Sequence, residues 1–212
     1  MKHVLLALAL VAAAPAAQSS PSADQIIAQT QAAFNKGVNT FEVPVTMKGN
    51  VHSGPISLPF SANGTQYFQA PDRIAMHMND LPGPAKGFEN SVNSVGTPSS
   101  WAKTYVFGYN GTSTRDGHDV YVLSGPPRNT GSRVKTATLY IDTQSYDVRG
   151  MHFDYNDGST VDGTRQFKDV GKYHLVSKGS VSASFPQYKG SAEVNYGDYK
   201  INGPIDPSVF KE

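Results

Sequence analysis

The sequence predicts a mainly β protein with few helices (α+β). Its strongly curved antiparallel sheet would form an incomplete β-barrel of about 9–11 strands packed on an N-terminal helix. Three observations carry this. Apolar residues recur at every second position, most clearly at Leu139 and Ile141 between Thr138, Tyr140 and Asp142; a period of two gives a strand one apolar and one polar face. The connections are short and rich in turn formers, with 20 glycines and 14 prolines in the chain, which favours an antiparallel meander over parallel crossovers. Only one mature segment shows helical periodicity. A curved sheet wrapped on a helix has one concave apolar face, either filled by side chains or left as a ligand cavity.

Residues 1–19 read as a secretory signal peptide: Lys2 and His3, an apolar run Val4–Ala14, then small residues offering cleavage after Ala16, Ala17 or Ser19. The run is short for a membrane span, which needs roughly 20 residues. The mature chain, 20–212, is then a single domain exported to the periplasm, with secretion the second choice. It carries no cysteine, so it has no disulfide, thiolate metal site, cysteine nucleophile or lipidated cysteine.

Ser22–Lys36 is the helix. Ser22 with Gln25 makes a capping box, Ile26, Ile27, Thr30, Ala33 and Phe34 share one face, and Gly37 stops it. Phe41–Lys48 alternates as a strand, and Pro44, lacking an amide donor, predicts an edge or a bulge. Ile56, Leu58 and Phe60 alternate next, with Pro59 repeating the edge signal. Asn63-Gly64 reads as a turn before a strand Thr65–Gln69, and Arg73–Met78 follows. Asp80–Ser100 holds many glycines and prolines and reads as a long loop, with room for a short helix at Gly87–Val95. Trp101–Tyr109 then reads as an aromatic strand, Asn110-Gly111 and Asp116-Gly117 as turns, and Asp119–Ser124 as a strand. Four more strands are predicted at Thr136–Asp142, Val148–Tyr155, Lys172–Val181 (with a break at Gly179) and Ser191–Ile201. Val209 and Phe210 should pin the proline-fixed tail to the body.

Composition narrows function mainly by exclusion. Net charge is +1 and 17% of residues are charged, without the basic stripe that nucleic-acid binding needs. None of the histidines has a metal-ligand spacing. The acidic group Asp154, Asn156, Asp157 and Asp162 fails the EF-hand pattern, and Tyr155-Asn156-Asp157-Gly158 fits a hairpin turn. Neither a Gly-x-Ser-x-Gly elbow nor a Gly-rich phosphate loop occurs. No cofactor and no metal are expected, and the chain is read as a non-enzyme. An exported hydrolase would need His118, His152 or His174 to meet a carboxylate in a cleft.

Several segments resemble the outer-membrane lipoprotein carrier (LolA/LolB-like) superfamily. They are Ala23-Asp24-Gln25-Ile26-Ile27 with Phe34; the strand, proline, strand corner Tyr67-Phe68-Gln69-Ala70-Pro71-Asp72-Arg73-Ile74; and Asp116-Gly117-His118-Asp119-Val120-Tyr121-Val122-Leu123. Thr138–Asp142 running through Val148-Arg149-Gly150, and Tyr196–Asp206 closing with Phe210, continue the likeness. The resemblance implies a half-barrel closed over by helices, its inside an apolar cavity for acyl chains. The superfamily's carriers place an arginine directly before the corner proline, where it helps hold the lid closed. Here that position is Ala70, and Arg73 lies beyond the proline, which points to a divergent member.

The implied function is carriage or binding of a lipid, a lipoprotein acyl chain or another hydrophobic small molecule. The alternative is an envelope protein-interaction or sensing module on the same fold. The protein is expected to be a monomer, with no nucleic-acid partner, and not integral to a membrane. Alternation and family position together nominate a lining of Phe41, Val43, Val45, Met47, Leu58, Phe60, Ile74, Met76, Met78, Trp101, Tyr105, Phe107, Leu139, Ile141, Met151 and Phe153. The plainer reading of these residues is ordinary core.

Overall fold

A computed structural model describes residues 20–81 and 97–211. The predicted leader (1–19) and the predicted helix at Gly87–Val95 therefore lie outside the described residues. Helix α1 (Ala23–Ala33) is followed by β1 (Thr40–Ser53), β2 (Ile56–Gln69), β3 (Arg73–Met78) and helix α2 (Pro98–Thr104). Then come β4 (Gly108–Arg115), β5 (His118–Gly125), β6 (Val134–Asp142), β7 (Val148–Tyr155), β8 (Thr160–Val170), β9 (Tyr173–Ser184), β10 (Lys189–Tyr196) and β11 (Lys200–Ile201). All eleven strands form one antiparallel sheet in the order β3-β2-β1-β10-β9-β8-β7-β6-β5-β4, with β11 also paired to β1. Among the described residues the sheet does not close: its path ends at β3 and β4. No helix among the described residues is long and apolar enough to cross a membrane.

The N-terminal helix forms as its sequence dictates. The Ser22 side chain accepts from the Gln25 amide at 3.2 Å, and the Gln25 side chain accepts from the Ser22 amide at 2.9 Å. Ile26, Ile27 and Thr30 are buried, and Gly37 ends the following turn at a positive φ of 77°. Phe34 then packs edge-on against Phe68, 5.7 Å between ring centres. Phe68 in turn stacks on Phe41 at 5.3 Å, and Tyr199 closes the group against Phe41 at 5.2 Å. The helix is tied to β1 and β2 through these rings.

Several connections differ from the sequence reading, each for a local reason. Asn63-Gly64 is no turn: both residues lie inside β2, where Asn63 accepts from the Thr46 hydroxyl. Gly64 is needed for packing, because a Cβ there would lie 2.1 Å from the His77 carbonyl. Asn110-Gly111 is likewise within β4 and produces a bulge, with Gly111 at φ 96°. Trp101–Thr104 is not strand but the end of α2, started by Thr97, Pro98 and Ser100, since Thr97 and Ser100 exchange capping bonds and proline suits a first helical turn. The predicted long loop thus gives way to helix at its C-terminal end.

Strand β8, Thr160–Val170, was not foreseen at all. Its inward positions include Gly163 and Arg165, so the apolar alternation is interrupted. Strand β9 runs unbroken through Gly179, and the predicted strand Ser191–Ile201 divides into β10 and β11. Pro44 does not mark an edge, because β1 lies between β2 and β10. It sits where β10 pairing has ended at Val45 and β11 pairing begins at Glu42, so no partner strand needs its missing amide. Its carbonyl accepts from the Gly197 amide at 2.9 Å. The tail is pinned as expected: Arg73 lies over the Phe210 ring at 4.4 Å, and His77 donates to the Val209 carbonyl at 2.6 Å.

A candidate ligand cavity on the concave face

Register fixes which side chains look inward. One cross-strand row runs Ala62, Met47, Val194, Gly179, Arg165; the next runs Phe60, Gly49, Ala192, Val181, Gly163, Met151, Leu139, Leu123. Large apolar residues fill most of these positions, but Gly163 and Gly179 on neighbouring strands leave space. There the concave face hollows into an open cavity of about 70 Å³. Met151, Phe153, Val161, Val181 and Val194 form its apolar wall, and Ile74 reaches in from β3.

Of the sixteen nominated residues, Ile74, Met151 and Phe153 border this cavity. Phe41, Val43, Val45, Met47, Phe60, Met76, Trp101, Leu139 and Ile141 are buried in the core around it. Met78, Tyr105 and Phe107 are half-buried against that core. Leu58 shares the inward register, pairing with Val51, yet is 43% exposed near the tip of the β1–β2 hairpin. Sequence reasoning missed the lining from β8 to β10, because Gly163, Arg165, Gly179 and Tyr196 break the apolar pattern that would reveal a concave face.

Three polar side chains also reach this cavity: Gln66, Arg165 and Tyr196. Gln66 is only 7% exposed and stands between Met76 and Val43 in the ladder. Burial lowers the Arg165 pKa, partly offset by Tyr196 and Tyr199, and a guanidinium stays protonated even so. Burial raises the Tyr196 pKa, opposed by Arg165, which keeps its hydroxyl a neutral donor. Tyr199, also raised by burial, donates to the Val176 carbonyl at 2.8 Å.

The histidines lie elsewhere. His118 meets Asp142 at 3.0 Å, and His174 lies between Asp169 at 2.7 Å and Asp147 at 3.1 Å. Ser145 donates to that same Asp147 at 2.6 Å. Aspartate therefore stands between serine and histidine, whereas a serine nucleophile needs the histidine in the middle. No group of three or more acidic or histidine side chains is placed to hold a metal among the described residues. The predicted turn at Asn156-Asp157-Gly158 is present, with Gly158 at φ 81°.

His152 bridges Asp162 at 2.7 Å and Asp154 at 3.1 Å. Burial lowers its pKa, but the two carboxylates outweigh that and the net shift is upward. A folded pKa above the unfolded value, about 6.5, gives a contribution fully present below that value and lost as pH rises through the folded pKa. Proton NMR titration is expected to place His152 above 6.5, and Asp162→Asn to bring it down. A wild-type value at or below 6.5 would contradict this bridge.

No family model and no curated protein matches the chain. Solved structures do. An outer membrane lipoprotein-sorting protein domain from Vibrio parahaemolyticus superposes with a TM-score of 0.61 at 16% identity, covering 87% of this chain and 94% of that one. A DUF1329 family protein from Desulfovibrio piger gives 0.60 at 9% identity, covering 88% and 94%. A LolA superfamily protein from Nitrosomonas europaea gives 0.57 at 10% identity, covering 91% and 99%. At these identities the likeness is one of fold, and it bears out the LolA-like half-barrel read from the sequence.

Proposed function

We propose that this chain, built on the fold of LolA-superfamily and lipoprotein-sorting domains, is a periplasmic, non-enzymatic carrier or binder of a lipid, an acyl chain or another hydrophobic molecule. The observation that carries the reading is the hollow in an otherwise filled concave face, opened by Gly163 and Gly179 and walled by Met151, Phe153, Val161, Val181 and Val194. Binding sites for small apolar ligands are typically such concave, mostly apolar spaces with a few polar groups. Export through the leader at 1–19 would deliver the protein to the envelope.

Native mass spectrometry of protein purified from an exporting bacterial host, followed by solvent extraction, tests this. A stoichiometric lipid mass is expected. Protein that is empty, and that also ignores an apolar fluorescent probe, would sink the reading.

A second reading, an interaction or sensing module, draws on Ile56 and Leu58, 65% and 43% exposed at the β1–β2 hairpin. Retention of one specific envelope partner by lipid-free protein, lost on Ile56→Ser with Leu58→Ser, would favour it.

A further inference from the structure

We propose that the cavity takes an amphiphile with one anionic head group, bound by Arg165 together with the Tyr196 hydroxyl and the Gln66 amide, while its chain lies on Met151, Phe153 and Val161. This rests on the apolar-ligand reading above and narrows it.

Arg165 differs from every other arginine of the chain. Arg133 pairs with Asp157, and Arg149 with Asp142 and Asp147. Arg73 donates to Gln69 and lies over Phe210, Arg115 lies over Tyr140, and Arg128 donates to the Ala102 carbonyl. Arg165 has no ion pair, hydrogen bond or ring contact among the described residues, although it sits inside the half-barrel and borders the cavity. Even a half-buried cation is poorly compensated without a counter-ion beside it. Its neighbours across the ladder are Gly179 on β9 and, beyond that, Val194 on β10. Among the described residues no carboxylate is offered to it.

Two further groups share this condition. The Tyr196 hydroxyl and the Gln66 amide border the same cavity and make no hydrogen bond with any described residue. Gln66 is also the polar exception in an inward column that otherwise reads Phe60, Ala62, Gly64 and Phe68. Three donors without a partner among the described residues border one cavity, one of them a fixed positive charge, and such a set is complementary to an anion. A guanidinium suits carboxylate or phosphate because its planar fork donates two parallel bonds. The lining also includes Met151, Phe153, Val161, Val181 and Val194, which suits an apolar chain.

Displacement of the neutral probe N-phenylnaphthylamine from the purified protein reads this directly, with palmitate, a monoacylglycerol phosphate and methyl palmitate as competitors. An anionic competitor is expected to bind at least about tenfold tighter than the ester, the range of a charge-assisted hydrogen bond. Preference for palmitate would identify a free fatty acid, and preference for the phosphate a lipid head group. Arg165→Gln should erase that preference by weakening the anionic competitors far more than the ester, while Arg165→Lys should keep part of it. Equal binding of acid and ester by the native protein, which needs no variant, would overturn the inference and leave the apolar-ligand reading standing. So would an Arg165→Gln loss that falls equally on both. If neither probe nor competitor binds, both readings fall.

Discussion

Gly163→Phe is expected to weaken ligand binding roughly a hundredfold while the half-barrel stays folded. A Cβ at Gly163 would meet the Met151 methyl and the Ser180 carbonyl oxygen at 3.7 Å each, ordinary van der Waals contact. Gly163 is not among the glycines with positive φ, so its backbone does not require glycine. Phenylalanine is also a better strand residue than glycine. Gly163 lines the cavity, so the ring would extend into it. Displacing about four methylenes of bound chain, at ~0.8 kcal/mol each, corresponds to roughly a hundredfold loss in affinity. Probe titration would show this loss, with Gly163→Leu falling between the variant and the native protein. Native affinity in a folded Gly163→Phe protein would place the ligand somewhere else.

Phe68→Ala is expected to cost the most stability. Phe68 is almost fully buried and holds Phe34 at the end of α1 on one side and Phe41 of β1 on the other. Truncating a buried phenylalanine costs about 3–5 kcal/mol, a large share of the roughly 5–15 kcal/mol that holds a domain folded. Urea unfolding should show a midpoint shift at unchanged slope. A double-mutant cycle with Phe34→Ala should leave a coupling of about 0.5–1.5 kcal/mol from the edge-on rings. A loss below about 1 kcal/mol would mean that the helix is held by other contacts.

The sequence made β1, β3, β5, β6 and β7 legible because their inward residues are apolar and alternate with polar ones. The capping box at Ser22 and Gln25 was equally plain. Asn-Gly dipeptides misled, since a glycine in a strand can answer to a neighbouring backbone, as Gly64 does to the His77 carbonyl, rather than to a turn. Trp101 misled because a strongly apolar residue satisfies either period, and the helix was set by the capping Thr97 and Ser100. The cavity itself was the least legible part. It is made by what the inward positions of β8 and β9 lack, so the residues that define it read as interruptions: glycine at 163 and 179, arginine at 165, tyrosine at 196.

The place of β1 in the sheet sets an order in time. Its Phe41 pairs with Ile201 and its Val45 with Tyr196, near the opposite end of the chain. Strands β1 to β3 and strands β4 to β9 can each form from local hairpins, but only β10, paired to both β9 and β1, joins the two sets. Contacts of such long sequence separation slow folding, commonly to milliseconds or seconds in β-rich domains. Until the join is made, β1 presents an unpaired edge able to capture another chain. Gln66 and Ile74 come from the first set, Val194 and Tyr196 from β10, and the rest of the cavity from the second. A nascent molecule therefore has nothing to bind with until its last strands have arrived.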